Sequence, residues 1–166
     1  FYGEADFDLK AENLKVERIA SILQTQDRLE GMVNLDLNIT GIHTDPVISG
    51  KLSAEDVSFK NYDFDRLVGA WEYDSRTLMG ELGFWKDSLQ ILKVEGYLPM
   101  DLSFQTIPDR ILNEQIGLVI SSKRLPLSMI MAPFENYQEV TGIVSGRVEL
   151  GGTLEGMAPN GKLTIS

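Results

Sequence analysis

The sequence predicts a mostly β protein: an elongated, curved antiparallel sheet with two short helices. Three observations carry this expectation. Apolar and polar residues alternate with period two along most of the 166 residues. Glycines recur inside the apolar register of those runs, where a larger side chain would otherwise sit. Only two stretches switch to helical spacing.

The elements follow in order. Gly3, Ala5, Phe7 and Leu9 alternate from the start of the chain. Val16, Ile19, Ala20 and Leu23 then sit at i, i+3, i+4 and i+7, the apolar stripe of a short helix. Val33, Leu35, Leu37 and Ile39 alternate with Asn34, Asp36, Asn38 and Thr40, which puts four apolar side chains on one face. The same pattern returns in Ile48-Gly50-Leu52-Ala54, Leu67-Gly69-Trp71-Tyr73, Leu78-Gly80-Leu82-Phe84 and Leu98-Met100-Leu102. Ile116-Leu118-Ile120 and Val144-Gly146-Val148-Leu150 continue it. Leu127, Ile130, Met131 and Phe134 mark the second helix, with Pro126 suited to its first turn and Pro133 to its end. Thr44-Asp45-Pro46, Trp85-Lys86-Asp87-Ser88 and Ala158-Pro159-Asn160-Gly161 read as turns, and about ten strands result.

A second level of order is a repeat. Gly31 precedes Gly41 by ten residues, as Gly146 precedes Gly156, and each pair leads to a Pro and then Gly-Lys-Leu: Pro46 and Gly50-Lys51-Leu52, Pro159 and Gly161-Lys162-Leu163. Residues 14–52 and 125–163 are therefore read as repeat-like units of one longer repetitive β chain, with 1–166 a single segment of it.

Composition narrows function. The 25 Asp and Glu against 15 Lys and Arg give a net charge of −10, which repels nucleic acid and anionic membrane surfaces alike. With no cysteine, disulfides and thiolate chemistry are excluded. His43 falls in the Gly41–Pro46 turn with no identifiable nucleophile beside it, so a solvated turn histidine outweighs a catalytic one. Asp6/Asp8 and Asp63/Asp65 each share a strand face, but a calcium loop needs more oxygen ligands, and the polar outer face of a strand is the simpler reading. No phosphate loop or nucleophile elbow is present, so no enzyme, cofactor or metal is expected.

The segments Gly31–Leu52 and Gly146–Pro159, with Val94-Glu95-Gly96-Tyr97-Leu98-Pro99-Met100-Asp101-Leu102 between them, resemble the TamB and AsmA-like family of bridge-like lipid-transfer proteins. In that family a strand ends in a Gly corner, followed by Pro and a Gly-led strand, and the resemblance implies that the sheet is left open as a taco-like trough with an apolar interior. The resemblance implies a periplasmic segment whose parent chain is anchored in the inner membrane of a Gram-negative bacterium. It also implies an outer-membrane barrel partner similar to TamA, and phospholipid passing toward the outer membrane by its acyl chains.

The residues suit such a trough. About ten amphipathic strands cannot be covered by two short helices, so the apolar face closes on itself or binds something. The candidate lipid-binding groove comprises Val33, Leu35, Leu37, Ile39, Leu52, Trp71, Leu82, Phe84, Leu98, Leu118 and Val148. Gly50, Gly69, Gly80, Gly96 and Gly146 permit bending and leave room beside those side chains. Two rival readings are a scaffold whose strand edges template a client β-barrel strand during outer-membrane protein assembly, and a closed β-sandwich binding module. An isolated segment hides an open trough by closing or by forming a homodimer.

Overall fold

The structure, a computed structural model, describes residues 3–15, 29–59, 62–131 and 141–166. Nine strands form one antiparallel sheet in strict chain order. They are β1 (Glu4–Lys15), β2 (Leu29–Ile42), β3 (Asp45–Phe59), β4 (Tyr62–Asp74), β5 (Thr77–Lys86), β6 (Leu89–Pro99), β7 (Ile116–Pro126), β8 (Ile143–Gly152) and β9 (Met157–Ile165). The sheet is open: among the described residues β1 pairs only with β2 and β9 only with β8, so it is not closed into a barrel. Among the described residues there is one short helix, α1 (Leu127–Met131), which follows β7 directly after Pro126, as the spacing of Leu127 and Ile130 requires. The helix expected over Val16, Ile19, Ala20 and Leu23 lies outside the described residues, as do Pro133 and Phe134.

Two sequence expectations are corrected. The alternation Leu98-Met100-Leu102 is not one strand, because β6 stops at Pro99 and Met100 makes only an isolated bridge to Ile111. Ala158-Pro159-Asn160-Gly161 is not a turn but the middle of β9; the turn is at 153–156. Proline is tolerated there because β9 is an edge strand, where a missing N–H costs no ladder bond. Tight two-residue turns join β4 to β5 and β5 to β6, with Ser75, Arg76, Asp87 and Ser88 all at positive φ (49–63°).

Packing is concentrated along the two sides of the sheet where strands end. On one side Val33, Ala54, Val57, Phe64, Ile91 and Leu125 form the buried cluster, with Phe84 and α1's Met129 packed against it. The Phe64 and Phe84 rings lie 5.2 Å apart in a tilted pair. On the other side residues 100–115 form a strap that runs back over the hairpin ends. Met100 N–H donates to Arg76 C=O (2.9 Å) and Phe104 N–H to His43 C=O (2.9 Å). Beneath it, the Tyr73 hydroxyl accepts from Leu102 N–H (2.9 Å). Arg110 braces the strap from within, donating to the carbonyls of Asp101, Ser103 and Gln105.

Asp101 ties this strap to the sheet through Arg76 (2.8 Å). The Ser103 hydroxyl and backbone N–H, and then Arg76, hold the Asp101 carboxyl below the usual carboxylate range. A carboxylate with a lowered folded pKa stabilises the fold above its unfolded value of about 3.9, and that contribution is lost as pH falls through the folded value. Protection of the strap amides, measured relative to their intrinsic exchange rate at each pH, is therefore expected to fall below about pH 4, and Asp101→Asn should abolish that loss. Protection that stays flat with pH would refute the assignment.

The pairing itself repeats. β1–β2–β3 and β7–β8–β9 carry the same register at an offset of 111 residues. Leu14↔Val33 and Val33↔Ala54 correspond to Leu125↔Val144 and Val144↔Ile165. Both β1 and β7 are bulged at the equivalent place, between Ala11 and Leu14 and between Ser122 and Leu125. The bulge residues Asn13 and Arg124 have φ of 53° and 55°, and each N–H is taken by a side chain of the next strand, Asn34 Oδ1 (2.9 Å) or Ser145 Oγ (3.0 Å). Gly41 and Gly152 end their strands at φ 90° and 92°, so by conformation the counterpart of Gly41 is Gly152 rather than Gly156.

Candidate functional site

Because directly paired residues point to one face of a sheet, the register gathers the alternating apolar positions into continuous rows across the strands. One row is Ala11, Leu35, Leu52, Gly69, Leu82, Val94, Ile120, Val148 and Gly161. The next is Leu9, Leu37, Gly50, Trp71, Gly80, Gly96, Leu118, Leu150 and Pro159. Neither row carries a polar side chain. At about 4.8 Å between strands, each is about 38 Å long.

All eleven expected groove residues lie on this face. Leu35, Leu52, Leu82 and Val148 belong to the first row, and Leu37, Trp71 and Leu118 to the second. Ile39 and Leu98 fall in the row beside the strap, Val33 and Phe84 in the row beside the core. Val33 is 6% exposed and belongs to the packed cluster; Leu52 and Phe84 pack against that cluster while half-buried. The remaining eight are half-buried, in the strip between the two packed sides. Val94, Ile120 and Leu150 complete the rows; their parity within their runs is the signal that finds them.

The glycines of this face are occupied by protein. A Cβ on Gly50 would stand 2.2 Å from Trp71 Cζ2, so the indole of β4 fills the space that β3 leaves open. A Cβ on Gly80 would meet Ala70 O at 2.6 Å. These positions serve close approach of indole and backbone rather than forming empty slots for a ligand.

A depression of about 950 Å³ opens on the opposite, polar face. Its borders include Lys10, Asp36, Lys51, Glu72, Met79 and Glu81 from the rows on either side of the Leu37–Trp71 row. The apolar neighbours Leu35, Leu52 and Leu82 take no part in it. Lys93 spans two acids at this face, Glu81 (2.9 Å) and Glu95 (2.7 Å), and so holds the Glu95 carboxyl below its ordinary range while its own ammonium pKa is raised, chiefly by Glu95. Trp85 also sits on the polar side, under the Arg66 guanidinium at 4.5 Å.

His43 is exposed in the β2–β3 turn, and its carbonyl accepts from Phe104 N–H of the strap. Asp8 accepts from Asn38 Nδ2 (2.8 Å) and Asp63 from Ser58 Oγ (2.6 Å). Among the described residues no three His, Asp or Glu side chains come together as a metal site. No helix among them is long and apolar enough to cross a membrane. Compared with known proteins, the chain matches no family model, no curated protein and no solved structure.

Proposed function

We propose that the chain is a segment of a periplasm-spanning protein that carries phospholipids between inner and outer membrane, their acyl chains lying along the apolar face while head groups stay in water. One observation supports this above others: two adjacent rows of only apolar or glycine residues cross all nine strands. A packed core needs a covering layer, whereas these rows are flanked by packing at both strand ends and half-buried between. Each buried methylene contributes about 0.8 kcal/mol, enough to hold a chain before ordering costs and weak enough at any one position for sliding. The polar-face depression is the poorer seat for tails, since its rim is charged. A role in outer-membrane biogenesis beside a barrel partner rests on the family resemblance. The scaffold reading draws on the free edges of β1 and β9.

The test uses strand parity as its control. A photo-crosslinking residue is placed at Leu35, Leu37 or Leu82, and in parallel at Asn34, Asp36 or Glu81, in the protein in cells. Phospholipid adducts at the first set alone support the proposal. Adducts at Asp36 and Glu81 alone would move the ligand to the polar-face depression. Adducts at neither set, with the protein folded, would refute lipid carriage. In the same assay Leu37→Asp is expected to lower the adduct yield at Leu82 about tenfold or more, because an unpaired carboxylate interrupts the row.

A further inference from the structure

We propose that the free edge of β9 docks an extended, β4-like segment: an antiparallel strand with alternate apolar residues that lays an aromatic ring over Gly161. The inference stands whether or not the apolar face carries lipid.

It begins with the hydrogen bonds. Ile143 and Ser166 exchange both backbone bonds (2.9 and 3.1 Å), and no bulge interrupts β8–β9 after them. Alternation then turns the N–H and C=O groups of Thr164, Lys162 and Asn160 toward β8 and those of Ile165, Leu163 and Gly161 outward. Pro159 belongs to the outward set, where its lack of an N–H leaves β8 fully paired. Leu163 and Ile165 are 52% and 62% exposed. Pro159 and Lys162 are the only blunting residues of this edge, and the stretch after Pro159 keeps its outward donors beside exposed apolar side chains, which leaves it open to pairing.

The repeat says what fits. β9 is the counterpart of β3 at the offset of 111, and Gly161-Lys162-Leu163-Thr164 matches Gly50-Lys51-Leu52-Ser53. On the equivalent edge β3 holds β4, with Ile48 opposite Tyr73, Gly50 opposite Trp71, Leu52 opposite Gly69 and Ala54 opposite Leu67. Transposed, Tyr73 meets Pro159, Trp71 covers Gly161, Gly69 faces Leu163 and Leu67 meets Ile165. On the polar side Lys162 takes the place of Lys51 opposite Ala70, and Asn160 that of Ser49 opposite Glu72. No like charges meet. The other free edge, on β1, differs: its polar face carries Glu4, Asp6, Asp8, Lys10 and Glu12 where β7 has Gly117, Val119 and Ser121, so the inference is confined to β9.

The probe is a synthetic peptide of the β4 sequence, Tyr62–Asp74, added to the intact chain. Amide exchange is expected to slow severalfold at Gly161, Leu163 and Ile165 and to stay unchanged at Lys162 and Thr164, already paired to β8. The chain has no cysteine, so register can be read by a disulfide. Lys162→Cys should couple to a peptide carrying Ala70→Cys and not to peptides carrying Val68→Cys or Glu72→Cys. A pair of this type holds Cα atoms about 4.5 Å apart, inside the disulfide range. Trp71→Ala in the peptide should weaken the protection. No protection by the unaltered peptide, or equal coupling of all three cysteine peptides, would overturn the proposal. So would outward amides already protected in a chain that sediments as a dimer, which would assign the edge to a second copy. Protection unchanged by Trp71→Ala would remove the aromatic requirement.

Discussion

Tyr73→Ala is expected to destabilise the protein by about 3 to 5 kcal/mol, a large fraction of a typical domain's stability. Tyr73 is 1% exposed, among the most completely buried side chains described. It also connects two parts of the molecule, since its hydroxyl takes the N–H of Leu102 in the strap. Truncation therefore leaves a cavity under the strap and an amide without its partner. Tyr73→Phe separates the two effects, keeping the ring and costing only about 1 to 2 kcal/mol. Urea denaturation of the three proteins measures both. If the alanine variant loses no more than the phenylalanine variant, the strap does not pack on this side of the sheet as described.

Gly96→Ala is expected to cost about 4 kcal/mol or more, and to damage the β6–β7 pairing in particular. Gly96 sits at φ 146°, and a Cβ there would stand 2.0 Å from Gly117 O and 2.9 Å from Leu118 Cα. Both obstacles are backbone of the neighbouring strand, so no side chain can swing away. Gly151→Ala is the matched control: nothing lies within 4 Å of its Cβ position, and the change should stay within about 0.5 kcal/mol. Thermal melts of the two variants, with amide exchange along β7, test the contrast. Equal melting temperatures would mean that the strands do not approach so closely.

What the sequence made legible depended on how local the signal was. The rows could be anticipated because alternation in Val33–Ile39 or Leu78–Phe84 assigns a face without knowledge of any neighbour. The β4–β5 turn was not anticipated: Ser75-Arg76 carries neither Gly nor Asn, although both residues take positive φ. Pro159 misled in the opposite direction, since its meaning depends on whether the strand is an edge. The repeat was visible in Gly-Lys-Leu, but the sequence offered two registers: Gly50 and Gly161 stand 111 residues apart, and Gly41 and Gly156 stand 115 apart. The extra glycines at 146 and 151 blur the spacing, and only the shared bulge and the φ of Gly41 and Gly152 fix the offset at 111.

By itself the sequence determined that the chain is an antiparallel β structure with one apolar face, because side-chain parity follows from the backbone repeat of two. Only the tertiary structure decided that the sheet stays open and how its two sides are packed. It also decided that the indole of Trp71 takes the space at Gly50 and that the edge of β9 faces outward. Those outcomes depend on pairing between residues far apart in the chain, and strand alternation says which face a side chain takes but not which strand lies beside it.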